Sequence, residues 1–399
     1  MYLCDKDSIL VLPIEYVKKI IKERMFTMNL KNKKIFSRIA AGVMTVAMAI
    51  TLLPGTMKTV NAAEPVTSAS LDVNLYKRAD VYAPNTTFEF EVTNLTAEQA
   101  KATNGGKDLK PPFKNAPAGA VKPGTIELAP AAEDLTETSI SKKLTFTLVA
   151  DKFTTEGIGT YRYKVKQKEG TYEGIKYDVG ERYLDVTVAT DGTNFYIASA
   201  SLVLYQEDGQ LVKSGAFVNT YGVNKPDTEN PVPKPDGTVN DLVISKTVTG
   251  NYGERDKKFI FEITINGAEG EWYNLEGQPA IKKGTAARIE LKHGETVKIY
   301  GLTENDTYTI KELEADDYKT TFKTTVTGSD KAAVDGTGKD VTDGKIDAGN
   351  QLQTQEVAFT NDRTGSATGF ASSYGPYALM VVLAGAVAFV LFRKKRAEY

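Results

Sequence analysis

Cysteine and histidine are almost missing from this chain. The only cysteine is Cys4 and the only histidine is His293. A single histidine excludes a two-histidine metal motif and any relay needing a second imidazole. Cys4 stands too early for a lipoprotein signal and takes no role, and beyond it the chain offers neither a thiol nucleophile nor a disulfide. Charge of one sign is lacking too. Forty-nine basic residues stand against 51 acidic ones, a net −2, so the whole-chain charge gives no reason to expect nucleic acid. The Gly-Lys pairs at 106–107, 338–339 and 344–345 lack the upstream glycine of a phosphate loop. Asp335, Asp340, Asp343 and Asp347 fit no strong calcium template and read as a solvated, turn-rich loop. No metal or cofactor is expected, and no nucleophile–base set supports a surface hydrolase.

What is present begins at the ends. Lys31, Lys33, Lys34 and Arg38 precede the apolar run Ile39 to Leu53, and Val60-Asn61-Ala62 offers a small-residue cleavage site before Ala63. Residues 1–62 therefore read as an upstream segment and an export signal, with Met25 or Met28 as the expected true start. Tyr377 to Phe392 is uncharged and apolar and is followed by Arg393-Lys394-Lys395-Arg396. That pattern predicts a membrane-spanning helix over 377–392 with a cytoplasmic basic stop. It serves either as a permanent anchor or as a temporary hold for a cell-wall transpeptidase. A secreted protein without disulfides needs another staple or none.

Between the ends, apolar and polar residues alternate with period two in many short runs, and no sustained helical period is present. Phe88 to Val92, Leu144 to Leu148, Tyr161 to Val165, Tyr183 to Val188 and Ser201 to Tyr205 read as half-buried antiparallel strands, with a long loop over 96–125. Phe259 to Ile265, Ala287 to Leu291, Val297 to Tyr300, Tyr308 to Glu312 and Tyr318 to Val326 repeat the style. Pro226, Pro231, Pro233 and Pro235 mark a semi-rigid extended linker. The expectation is an all-β protein with two tandem immunoglobulin-like sandwiches, at 65–222 and 241–362, joined by a linker at 223–240 and followed by a terminal segment at 363–399. The two halves share an order of parts. Each opens on an apolar run ending in Lys77 or Lys246 and closes on Phe217-Val218-Asn219 or Phe359-Thr360-Asn361. This is the signature of a diverged repeat.

Lys246, Glu312 and Asn361 carry the chemistry. Each ends a strand-like run, and period two turns each toward the face of its apolar neighbours. An amine, a carboxyl and a carboxamide facing one core are costly unless they pair or react. Two outcomes fit the pattern. One is a buried Lys–Glu ion pair with a hydrogen-bonded Asn. In the other, the Lys amine attacks the Asn carbonyl, expels ammonia and leaves an isopeptide bond. Burial favours the neutral forms of the amine and the acid, so the amine is nucleophilic and the acid can bond the Asn carbonyl.

Taken with Pro84-Asn85-Thr86-Thr87-Phe88, Leu291-Lys292-His293-Gly294-Glu295 and the C-terminal Gly375-Pro376-Tyr377-Ala378-Leu379, these residues make the chain resemble the major backbone pilins of Gram-positive bacteria, especially the two-domain streptococcal T-antigen type. The resemblance implies immunoglobulin-like domains of the Cna B kind and a cell-surface structural protein rather than an enzyme. It implies a Lys246–Asn361 bond assisted by Glu312. It implies a second pair, Lys77 and Asn219, with Gln167 at the Glu position. A Gln amide cannot relay a proton, so bond and hydrogen-bonded core both stand there. It implies Lys213 as the amine that a sortase joins to the next subunit, and Thr368-Gly369 as the scissile bond, although the sequence Gly365-Ser366-Ala367-Thr368-Gly369 lacks the usual proline. Expected partners are sortase, other copies of the chain, minor pilins, peptidoglycan and, before processing, the membrane. The rival reading is a non-polymerising anchored adhesin.

Overall fold

The computed structural model describes residues 66–205, 211–227, 229, 231–347, 349, 351–365, 377 and 379–384. The expected export signal and Thr368-Gly369 lie outside the described residues, as does most of 377–392. Among the described residues no helix is long and apolar enough to cross a membrane.

Alternation dictates the architecture. In Ser68–Lys77, residues 69, 71, 73, 75 and 77 are buried while 68, 70 and 72 are exposed, the pattern of a strand with one face on a core. This strand runs parallel to Phe217–Tyr221 and antiparallel to Ser139–Leu148 in a five-stranded sheet completed by Val121–Pro123 and Ile175–Lys176. The facing sheet orders Leu211–Lys213, Phe195–Tyr205, Arg182–Thr190, Gly159–Gln167 and Phe90–Asn94. Leu71, Val73, Leu75, Phe88, Phe146 and Phe217 are among the residues that fill the space between.

The second sandwich repeats the plan. Val239–Thr249 lies parallel to Thr354–Asp362 in the middle of a seven-stranded sheet. A four-stranded sheet of Ala287–Leu291, Phe259–Asn266, Thr307–Leu313 and Asp340–Lys345 covers it. Leu242, Ile244, Phe261, Ile310 and Phe359 are in its core. In both sandwiches the first and last strands are therefore hydrogen-bonded neighbours running the same way. A crosslink between them would close nearly the whole domain.

Two segments differ from expectation. The stretch 96–125 is not a plain loop. It holds the helix Ala97–Ala102, started by a Thr96/Gln99 capping box, and two short strands, Phe113–Lys114 and Val121–Pro123. Arg162 pins it. This fully buried side chain pairs with Asp185 at 2.7 Å, reaches Thr103 Oγ1 at 3.2 Å and lies 4.7 Å over the Phe113 ring. One turn of helix is too short to give a readable period.

The proline-rich linker does not run extended. It doubles back, with Val223 bridging Pro235 and Asn224 N–H donating to the Lys234 carbonyl at 2.8 Å. Gly222, at φ +70, makes the turn out of the first sandwich, and a Cβ there would come within 2.7 Å of Val239 Cβ. Contacts then tie the sandwiches together. Arg78 Nη2 meets both oxygens of the buried Asp241, at 2.8 and 3.0 Å, and Tyr82 stacks edge-on against Trp272 at 5.6 Å. Lys298 also reaches Asp241, at 2.9 Å.

Candidate functional site

The second core brings the three singled-out side chains together. Lys246 points inward from the first strand, opposite Phe359, and Asn361 points inward from the last strand, opposite Val248. Glu312 reaches the same spot from the facing sheet, where it pairs with Phe261. The side chains of Lys246 and Glu312 have no solvent exposure.

The acid stands between the other two. Lys246 Nζ is 2.6 Å from Glu312 Oε1, and Asn361 Nδ2 donates to the same oxygen at 2.7 Å. Nζ is held by that contact, which leaves Glu312 Oε2 and Asn361 Oδ1 as buried polar atoms without a hydrogen-bond partner. A buried polar atom without a partner costs about 1–3 kcal/mol, and two of them stand beside the buried amine. The carboxyl meets Asn361 through its nitrogen rather than through the expected carbonyl. Nζ also lies 4.5 Å over the Phe259 ring and 5.8 Å from Phe261. Burial lowers the Lys246 pKa to about 8, against the opposing pull of Glu312, so far more of the amine is neutral and nucleophilic near neutral pH than in an exposed lysine. The two aromatic walls could not be read from the sequence, because alternation gives a face and not a neighbour across the core.

The first core differs. Asn219 and Gln167 meet in a reciprocal amide pair: Gln167 Nε2 donates to Asn219 Oδ1 at 2.8 Å, and Asn219 Nδ2 donates back to Oε1 at 3.1 Å. Lys77 takes no part. Its Nζ donates to the carbonyls of Val81 and Glu137 at 2.8 Å and of Arg78 at 3.1 Å. The expected Lys77–Asn219 pair is therefore not brought together. Register is the reason: Asn219 lies opposite Leu75, and Lys77 lies opposite Tyr221.

Lys213 sits exposed at the end of the edge strand Leu211–Lys213. His293 lies in the turn after Ala287–Leu291, and its Nδ1 accepts from the Val248 N–H at 3.0 Å. Glu271 and Asp306 were not expected as a site. They are buried close together where the sandwiches meet, around Gly267, with Tyr273 donating to Glu271 at 2.9 Å. Their separation in sequence gave no signal.

Residues 73–222 match the family described as the Spy0128-like isopeptide containing domain, and residues 240–363 match a domain of unknown function designated DUF7601. A curated protein named Pilin, from Streptococcus pyogenes serotype M1, is 23% identical over 363 residues, covering 85% of this chain and 92% of that protein. The chain belongs to the Gram-positive backbone pilins of the streptococcal T-antigen type. The pilus tip adhesin Cpa of Streptococcus pyogenes is 31% identical over 125 residues, and the match spans only 16% of that protein. Among solved structures, the major pilin from Streptococcus pyogenes aligns with a TM-score of 0.51 at 20% identity, covering 75% of this chain and all of that one. The T3.2 major pilin aligns with a TM-score of 0.50 at 24% identity, with the same coverage. At those identities the structures speak for the fold. This pilin is a pilus backbone subunit, a structural protein of the cell surface.

Proposed function

We propose that this pilin staples its second sandwich with an isopeptide bond between Lys246 and Asn361 and is joined to its neighbours through Lys213. The observation that carries the bond is the single oxygen of Glu312 in contact with both the nucleophile and the leaving amide nitrogen. The neutral Lys246 amine attacks Asn361 Cγ. The Nζ–Cγ bond forms and the Cγ–Nδ2 bond breaks. Glu312 takes a proton from Nζ and hands it to Nδ2, so ammonia leaves and the Glu312 carboxylate is regenerated. Folding supplies the proximity, and no cofactor or outside enzyme enters.

The exposed edge position of Lys213 supports its use in assembly. A sortase would cleave at Thr368-Gly369 and pass the threonine carbonyl to this amine on the next copy. The 377–392 segment would hold the precursor at the membrane until then, and the finished fibre would end on peptidoglycan. Minor pilins of the tip-adhesin kind are partners by the same chemistry.

Intact mass spectrometry of the recombinant ectodomain tests the bond. One ammonia should be missing, and Glu312→Gln should restore the full mass while the domain stays folded. A full mass in the unmutated protein would rule the bond out.

A further inference from the structure

The two sandwiches can be superposed residue by residue through their ladders. In the second, Phe359 lies opposite Lys246, Asn361 opposite Val248, and Phe261 opposite Glu312. In the first, Phe217 lies opposite Val73, Asn219 opposite Leu75, and Phe90 opposite Gln167. The ring pairs agree as well: Phe261 and Phe359 are 5.2 Å apart, and Phe90 and Phe217 are 5.3 Å apart. The place of Lys246 is therefore held by Val73, and that of Glu312 by Gln167. Lys77 lies four residues further on, about 13 Å along the strand. Neither the nucleophile nor the proton carrier is present.

The first site is also chemically at rest. Asn219 Oδ1 accepts from Gln167 Nε2 at 2.8 Å and from Asp178 N–H at 3.0 Å. Asp178 Oδ2 accepts from Val218 N–H at 2.9 Å and from Arg182 Nη2 at 3.0 Å. The Arg182 guanidinium lies 4.7 Å over Phe217. The Asn219 oxygen is thus held by two donors, where its counterpart in the second sandwich has none.

We propose that the first sandwich carries no crosslink and is closed by the Gln167–Asn219 amide pair, because it stands outside the path of tension that the second sandwich must bear. This rests on Lys213 as the joining amine. A pull entering at Lys213 passes along Phe217–Tyr221 and leaves through Val239–Thr249 without crossing the rest of the first sandwich. In the second sandwich the pull enters on the first strand and leaves on the last, so it crosses the whole domain. The Lys246–Asn361 bond spans those two strands. One subunit would thus contain a covalent load-bearing module and a non-covalent module hung beside it.

Peptide mapping by tandem mass spectrometry and single-molecule stretching test this together. Mapping should find Asn219 in an unbranched peptide, and Val73→Lys with Gln167→Glu should remove one further ammonia and join residues 73 and 219. A branched native peptide containing Asn219 would overturn the proposal. Stretching uses cysteine handles, which are clean because no cysteine follows Cys4. Pulled between Ser68→Cys and a C-terminal handle, the first sandwich should open with a gain on the order of 500 Å for about 150 residues. Pulled between Lys213→Cys and the same handle, it should not. No gain from position 68 would mean that the first sandwich is covalently closed and would refute the proposal. Loss of the branched Lys246–Asn361 peptide would instead count against the second-sandwich bond and leave the Asn219 result to decide this proposal.

Discussion

A single polar atom in a dry core has few options, and residue chemistry here turns on which atoms find partners. Glu312 and Asn361 each leave one buried oxygen without a partner, whereas Gln167 and Asn219 satisfy each other. Lys246→Ala should remove the ammonia loss and lower the second sandwich's melting temperature. Losing a crosslink around a loop on the order of 100 residues costs roughly 4.7 kcal/mol in the chain-entropy picture, which corresponds to a fall of about 15–25 °C in calorimetry. Glu271 and Asp306 supply a second residue-scale expectation. Burial lifts both carboxyls far above their usual range, and the charge of Glu271 adds to the effect on Asp306. Tyr172, Tyr221 and Tyr273 face the pair, Glu173 repels Glu271, and Lys283 attracts it. Folded-state values above the unfolded ones mean that the native state binds protons more tightly. Stability from this pair is complete below the ordinary carboxylate range and is lost as pH rises toward and through neutrality. Denaturant unfolding should therefore show falling stability between pH 5 and 8, by about 1–3 kcal/mol. Glu271→Gln should flatten that slope, and an unchanged slope would assign it elsewhere.

At the scale of elements, the parallel pairing of first and last strands decides what a crosslink can do. Joining Val239–Thr249 to Thr354–Asp362 ties the entry and exit of the second sandwich. Proteolysis should reflect the difference between the modules. With the bond in place, a cut in the loop 328–333 should leave the two pieces of the second sandwich covalently joined in a denaturing gel. In Glu312→Gln the same cut should separate them. The short helix Ala97–Ala102 depends on a tertiary partner, since one turn cannot hold itself in water. Arg162 provides that partner, and Arg162→Ala should release the 96–125 segment, strip the charge from Asp185's buried pairing and cost about 3–5 kcal/mol in urea unfolding.

For the whole molecule, what matters is the junction between sandwiches and the proposed linkage at Lys213. Arg78 with the buried Asp241, and Tyr82 with Trp272, join the two modules. Lys213→Arg keeps the charge but removes the amine proposed as the linkage point, so on that proposal detergent-resistant polymer ladders should vanish from cells expressing it. Ladders that persist would move the linkage to another lysine.

The sequence by itself determined the longer strands, the two-sandwich plan and the shared inward face of Lys246, Glu312 and Asn361, because period-two alternation fixes which face a residue takes and because Phe-x-Asn marks both closing strands. It could not determine register. Alternation repeats every two residues, so Val73, Leu75 and Lys77 share one face and are equally eligible. Only pairing with Phe217–Tyr221 shows that the slot beside Asn219 belongs to Val73 and that Lys77 has gone to three carbonyls. Tertiary structure likewise folded the proline segment back on itself and brought Glu271 to Asp306. Contacts across a core depend on distances that no local pattern encodes.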